Sequence, residues 1–153
     1  MRAGSAARAA LVITAAALAQ ACALKAPEPR IKTPSGRPEV TISGVTKKTV
    51  IDVIANHMLT DGYMIREMSD YRTVFLKRFS RSRHIDGKWI RYVKEERITC
   101  NVVDTSLGAR VVATIEIVSR PGKPDEEVSE IRRGKAPSRI QNLLLRTRAE
   151  LAR

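Results

Sequence analysis

Aromatic side chains make up only 4% of these 153 residues, so any folded core must be built from aliphatic ones. Cysteine occurs twice, as Cys22 and Cys100, too few for a small domain stapled by disulfides. The two histidines, His57 and His84, are separated by most of a hairpin, and His57 reads as a surface or edge residue of a helix. The sequence has no Gly-rich phosphate loop, no H-E-x-x-H, no C-x-x-C and no G-x-S-x-G. Glu95 and Glu96 are neighbours on a strand, so they point to opposite faces and do not form a cooperating carboxylate pair. Their expected role is to pair with Arg78 and Lys77 across a hairpin. These absences predict a protein that is not an enzyme and has no cofactor and no metal.

Acids are also short, 16 against 28 Lys and Arg, for a formal net charge of +12. In a cytosolic protein that balance raises nucleic acid first. The first residues redirect it. Met1 to Cys22 has a basic start (Arg2, Arg8), a charge-free run from Ala9 to Ala21, and the exit Leu18-Ala19-Gln20-Ala21-Cys22. A positive head, a short apolar segment and a small-residue exit are the parts of a secretory signal peptide. Even counted on to Leu24, the about 16 residues without charge are fewer than the about 20 that span a bilayer. With a leader of that kind, no nucleic acid is expected. The anions within reach are lipid head groups, lipopolysaccharide phosphates, wall polymers or an acidic protein.

Ala21-Cys22 at the end of this run resembles the lipobox of bacterial lipoproteins, in which the cysteine is lipidated and becomes the mature N-terminus. Ala19 stands where leucine is commonest in that family, and Ala19-Gln20-Ala21 also suits ordinary signal peptidase; an uncleaved anchor is the third alternative. The resemblance implies residues 1–21 as signal peptide, Cys22 as lipidation site and a membrane-anchored chain. Ala23, rather than Asp, after the cysteine implies outer-membrane retention on the periplasmic face. Cys100 is then left alone and must be buried. If Cys22 stays free, a Cys22–Cys100 disulfide is the alternative.

Residues 22–42 include Pro27, Pro29, Pro34 and Pro38, which favour an extended tether. A single domain is expected over 43–153, with a short strand opening near Val40-Thr41-Ile42. Thr46 is a suitable N-cap for a helix carrying Val50, Ile51, Val53, Ile54, Met58 and Leu59 at helical spacing, and Gly62 suits its C-terminal end. Tyr63–Met68 and Tyr71–Ile85 read as strands around Ser69-Asp70, in a register the residues leave open. Asp86-Gly87 is the strongest turn signal in the chain, a two-residue type I′ loop. Setting Ile85 opposite Lys88 pairs Lys77 with Glu96, Arg78 with Glu95, Phe75 with Ile98, Thr73 with Cys100 and Tyr71 with Val102. After a loop over Asp104–Ala109, a strand from Arg110 to Ser119 sets Val111 against Val102, Ala113 against Cys100 and Ile115 against Ile98. Asp125 to Gly134 suits either a helical turn or an edge strand. A closing helix from near Pro137 buries Ile140, Leu143, Leu144 and Leu151 and turns Arg139, Arg146, Arg148 and Arg153 outward.

The order is helix, four-stranded antiparallel meander, helix. It predicts an α+β two-layer sandwich with both helices on one face of the sheet. In layout, from Thr46 to Leu151, it resembles the small domain of BamC-type envelope lipoproteins; no motif carries a functional residue across. The candidate site is the far half of the second hairpin, where Arg81, Arg83, Lys88 and Arg91 interleave with Trp89 and Tyr92. It either projects, as a basic aromatic arm or merely as a solvated charged hairpin, or folds its apolar residues back on the domain. Two functions follow as expectations. The first is a non-catalytic lipoprotein binding a protein partner and assembling or stabilising a periplasm-facing complex. The alternative is a module for an anionic polymer such as lipopolysaccharide.

Overall fold

Two adjacent residues with positive φ organise the sheet: Asp86 at 48° and Gly87 at 75° close the two-residue turn between the longest strands. The positions described in this computed structural model are residues 31–152. The expected signal peptide, Cys22, the tether up to residue 30 and Arg153 lie outside them. In chain order the elements are β1 (Glu39–Ser43), α1 (Lys47–Thr60), β2 (Met64–Met68), β3 (Arg72–Ile85), β4 (Lys88–Thr105), β5 (Gly108–Ser119), β6 (Glu127–Glu130) and α2 (Lys135–Leu151). Among the described residues no helix is long and apolar enough to cross a membrane.

The chain is α+β, but the sheet has six strands where four were expected. β2 to β5 form the meander; β1 and β6 are added side by side along the outer edge of β5. β1 pairs with its first half (Ser43 with Gly108, Glu39 with Val112) and β6 with its second (Glu116 with Glu130, Ser119 with Glu127). β5 is long enough to hold both, which is why two short segments became strands. Within Asp125–Gly134 it is therefore Glu127–Glu130 that forms an edge strand. The last residues of the expected tether, from Glu39, belong to the sheet, and Val40 and Ile42 are buried in its core. The expected loop over Asp104–Ala109 is also shorter, because β4 runs to Thr105 and pairs directly with Gly108.

The central register is the expected one. Ile85 pairs with Lys88, Phe75 with Ile98, Thr73 with Cys100, Cys100 with Ala113 and Ile98 with Ile115, and Val102 N–H donates to the Tyr71 carbonyl at 2.8 Å. The register left open, β2 on β3, carries a bulge between Ile65 and Glu67. Thr46 caps α1, its hydroxyl accepting from the Thr49 N–H at 3.3 Å, and Gly62 follows the helix with φ 81°.

Phe75, Ile98, Cys100, Val102, Val111, Ala113 and Ile115 share one buried cluster with Val50, Ile54 and Met58 of α1 and Ile140, Leu143 and Leu144 of α2. Burial pushes the Cys100 thiol up to about 12. The opposite face of the sheet buries Val74, Leu76 and Val118, and the segment after β5 is tied to it by Arg97 and Glu126 at 3.6 Å. At Glu39 the outer backbone of β1 is met by Gln141 of α2, whose amide accepts from the Glu39 N–H at 2.8 Å and donates to the Glu39 carbonyl at 3.1 Å.

Candidate functional site

β3 and β4 outrun their neighbours. β2's ladder ends at Met64 opposite Leu76, and β5's at Ser119 opposite Lys94. From Ser80–Val93 to the turn the sheet is two-stranded, an arm of about 20 Å at roughly 3.3 Å per residue. Its residues are exposed apart from the partly covered Ile85 and Val93. Trp89 is 75% exposed, Tyr92 and Phe79 44% each. Of the two arrangements open at the sequence level, the hairpin projects.

The register divides the arm's side chains between two faces. Cross-strand partners share a face, and alternate residues switch it. On the face continuous with Phe75 and Ile98, the rungs are Phe79–Lys94, Arg81–Tyr92, Arg83–Ile90 and Ile85–Lys88. Every one of these rungs joins one cation to one large apolar side chain. The face continuous with Val74 carries Ser80–Val93, Ser82–Arg91 and His84–Trp89. There the His84 and Trp89 rings meet edge to face, centroids 5.2 Å apart. The six residues expected as one site are therefore not one surface. Arg81, Arg83, Lys88 and Tyr92 lie together; Trp89 and Arg91 lie on the reverse. Phe79, Ile90 and Lys94 belong with the first group although they are not among the six, and strand parity alone assigns them.

The arm's base is clamped on both faces by buried carboxylates. Glu95, 2% exposed, accepts from Arg78 Nε and Arg97 Nη2 at 3.2 Å each. Glu96, 4% exposed, accepts from the Tyr63 hydroxyl at 2.9 Å and Arg139 Nη2 at 2.8 Å. Two expectations are corrected here. Lys77 is Glu96's backbone partner, but its ammonium donates to the Asp61 carbonyl at 2.6 Å and lies 5.3 Å from the centre of the Tyr63 ring. Arg139, expected to point away, reaches from α2 to Glu96 and also donates to the Tyr63 hydroxyl. Burial, and then the negative charge of Glu96, raise the Tyr63 hydroxyl above its ordinary pKa.

Beyond the Arg78–Glu95 rung the only acid is Asp86 in the turn. Among the described residues, Arg81, Arg83, Lys88, Arg91 and Lys94 form no ion pair within 4.0 Å, whereas the Arg78 and Arg97 pairs with Glu95 are close. The arm thus offers unpaired cations, exposed rings and open backbone edges. His57 meets Glu150 at 3.0 Å on the surface, and among the described residues no group of three His, Cys, Asp or Glu is placed to hold a metal ion. No protein-family model matches the chain, and no curated protein matches it.

Proposed function

We propose that this chain is a non-catalytic component of the bacterial cell envelope that binds a protein partner through the β3–β4 arm and so helps assemble or stabilise a complex. In this reading Cys22 carries the lipid, and the domain stands on its proline-rich tether at the periplasmic face of the outer membrane. The two helices cover one face of the sheet, a reading supported by the single cluster their apolar residues share with Phe75, Ile98 and Ile115. That arrangement leaves the arm outside the sandwich.

One observation carries the proposal: a two-stranded extension that displays Phe79, Trp89, Ile90 and Tyr92 to solvent. A hairpin without a third strand or a covering helix is marginally stable in water. Exposed aromatic and arginine side chains are also the types that anchor interfaces. The test is crosslinking and pull-down from intact envelopes with three proteins. They are wild type, the pair Trp89→Ala and Tyr92→Ala, and the set Arg81→Ser, Arg83→Ser, Lys88→Ser and Arg91→Ser. Loss of a captured partner in both variants supports the reading; equal capture by all three removes it.

The unpaired cations favour a second reading, an anionic envelope polymer such as lipopolysaccharide. In that case only the basic variant loses binding, and wild-type binding falls steeply as salt is raised.

A further inference from the structure

We infer that the arm takes its partner as an extended protein segment added to the outer edge of β3, with acidic side chains at alternate positions of that segment set against Arg81 and Arg83. The inference rests on the arm being the partner-binding element and specifies how it binds.

In an antiparallel sheet a residue's N–H and C=O point to the same neighbouring strand, and the next residue's point the other way. Ser69 N–H donates to the Arg72 carbonyl at 2.8 Å, so even-numbered residues of β3 turn their backbone toward β2. Arg120 N–H donates to the Val93 carbonyl at 3.2 Å, so odd-numbered residues of β4 turn theirs toward β5. The β3–β4 register is unbroken from Arg72 to Ile85, and the alternation holds along the arm. Past the end of β2, Ser80, Ser82 and His84 therefore present their N–H and C=O groups outward, with no strand beside them among the described residues.

The side chains along that edge differ by face. Ser80 and Ser82 are short on the Val74 face, where Arg91 Nη2 donates to Ser80 Oγ at 3.4 Å. Arg81 and Arg83 stand two residues apart on the other face, exposed and without a carboxylate partner. An added strand places its own side chains directly opposite these arginines, where opposite charges attract and like charges repel. The edge therefore accepts an acidic segment and rejects a second copy of itself, a use of charge by which exposed edges avoid self-association. The other edges suit this role less well. β2 is interrupted by its bulge at Arg66, and the outward positions of β4 carry the bulky Trp89 and Arg91.

The probe is a blocked synthetic peptide of alternating glutamate and threonine, added to the full mature chain beside a lysine–threonine peptide and polyphosphate. The expected result is binding of the acidic peptide, with slowed hydrogen exchange at the Ser80, Ser82 and His84 amides. The Arg81 and Arg83 amides, already bonded to β4, should not change. Ser82→Pro removes one outward N–H without touching the β3–β4 ladder, a place proline tolerates on an edge. It should weaken the peptide by about tenfold or more, as should the double change Arg81→Ser and Arg83→Ser, while Ser82→Ala binds as wild type. Should proline loosen the arm, shown by faster exchange at Arg81 and Arg83, the wild-type exchange pattern and the arginine variant decide. Binding without protection of the three outward amides, or polyphosphate binding that alone depends on the arginines, overturns the inference. If envelope capture still depends on Trp89 and Tyr92 while Ser82→Pro captures normally, the edge inference fails and the arm's role stands.

Discussion

Arg139→Met keeps most of the side chain's volume and removes its guanidinium, which isolates the clamp at the arm's base. Glu96 is 4% exposed; its Oε1 accepts from Arg139 Nη2 at 2.8 Å and its Oε2 from the Tyr63 hydroxyl at 2.9 Å. Without the guanidinium, Oε1 is a buried charged acceptor with no donor. Breaking a fully buried pair costs about 3–5 kcal/mol, and a hydrogen bond to a charged group contributes about 1.5–3 kcal/mol. The Arg139 side chain is 47% exposed, so water can enter the vacated position and the lower range applies. The expected loss is about 2 kcal/mol, lowering the thermal midpoint by roughly 6–10 °C for a domain of this size. Urea and thermal unfolding followed by circular dichroism at neutral pH measure it. In a Glu96→Gln background there is no charge left unpaired, so the same Arg139→Met change should cost about 1.5 kcal/mol less. Equal cost in both backgrounds, or a loss below about 0.5 kcal/mol in wild type, would mean that Arg139 is an ordinary surface side chain.

Four further outcomes are expected. Gly108→Ala should cost about 2–4 kcal/mol, because φ is 139° and an added Cβ would collide with the Ile42 carbonyl and lie 2.8 Å from Ser43 Cα; unfolding like wild type would mean β1 does not pack against Gly108. Cys100 should resist alkylation in the native domain at neutral pH. Because burial raises its thiol from 9.0 to about 12, its share of stability is intact below pH 9 and declines as pH rises to 12, by at most about 1.4 kcal/mol per unit, and Cys100→Ala should flatten that slope. The paired Trp89→Ala and Tyr92→Ala changes should leave stability within about 0.5 kcal/mol of wild type; a larger drop in urea unfolding would mean the rings pack on the body. A palmitate analogue should label wild type and not Cys22→Ser, and equal labelling would remove the lipid anchor from the proposal.

What the sequence made legible is local or periodic. Asp86-Gly87 admits one tight turn, and with Ile85 opposite Lys88 every rung from Thr73–Cys100 to the tip follows by counting. Alternation then carries the register into β5, since Ile98, Cys100 and Val102 and their partners all need the same buried face. β6 left no such trace. Glu127-Val128-Ser129-Glu130 is exposed throughout and shows no apolar face, so only the free edge of β5 makes it a strand. The Glu96 clamp was hidden for another reason. Glu96 is separated in sequence by 33 residues from Tyr63 and by 43 from Arg139, and no spacing rule connects a strand carboxylate to an arginine on a distant helix.

The arm was visible as composition but misread as geometry. Basic and aromatic residues were grouped by proximity along the chain, whereas parity divides them, sending Trp89 and Arg91 to the reverse of Arg81 and Tyr92. The division bears on why the residues are there. Up to the rung of Glu95 and Glu96, buried charges are matched by partners on both faces, as a folded interior demands. Past that rung the arm carries five cations that form no ion pair among the described residues, and aromatic and aliphatic side chains left largely exposed. Folding needs neither: a shorter hairpin turning just beyond Glu95 would leave the core of Phe75, Ile98 and Ile115 intact. Self-repulsion among the cations and exposure of the rings both work against stability. A partner that supplies carboxylates, apolar contact and a third strand would offset the unpaired charge, the exposed rings and the open backbone edge at once.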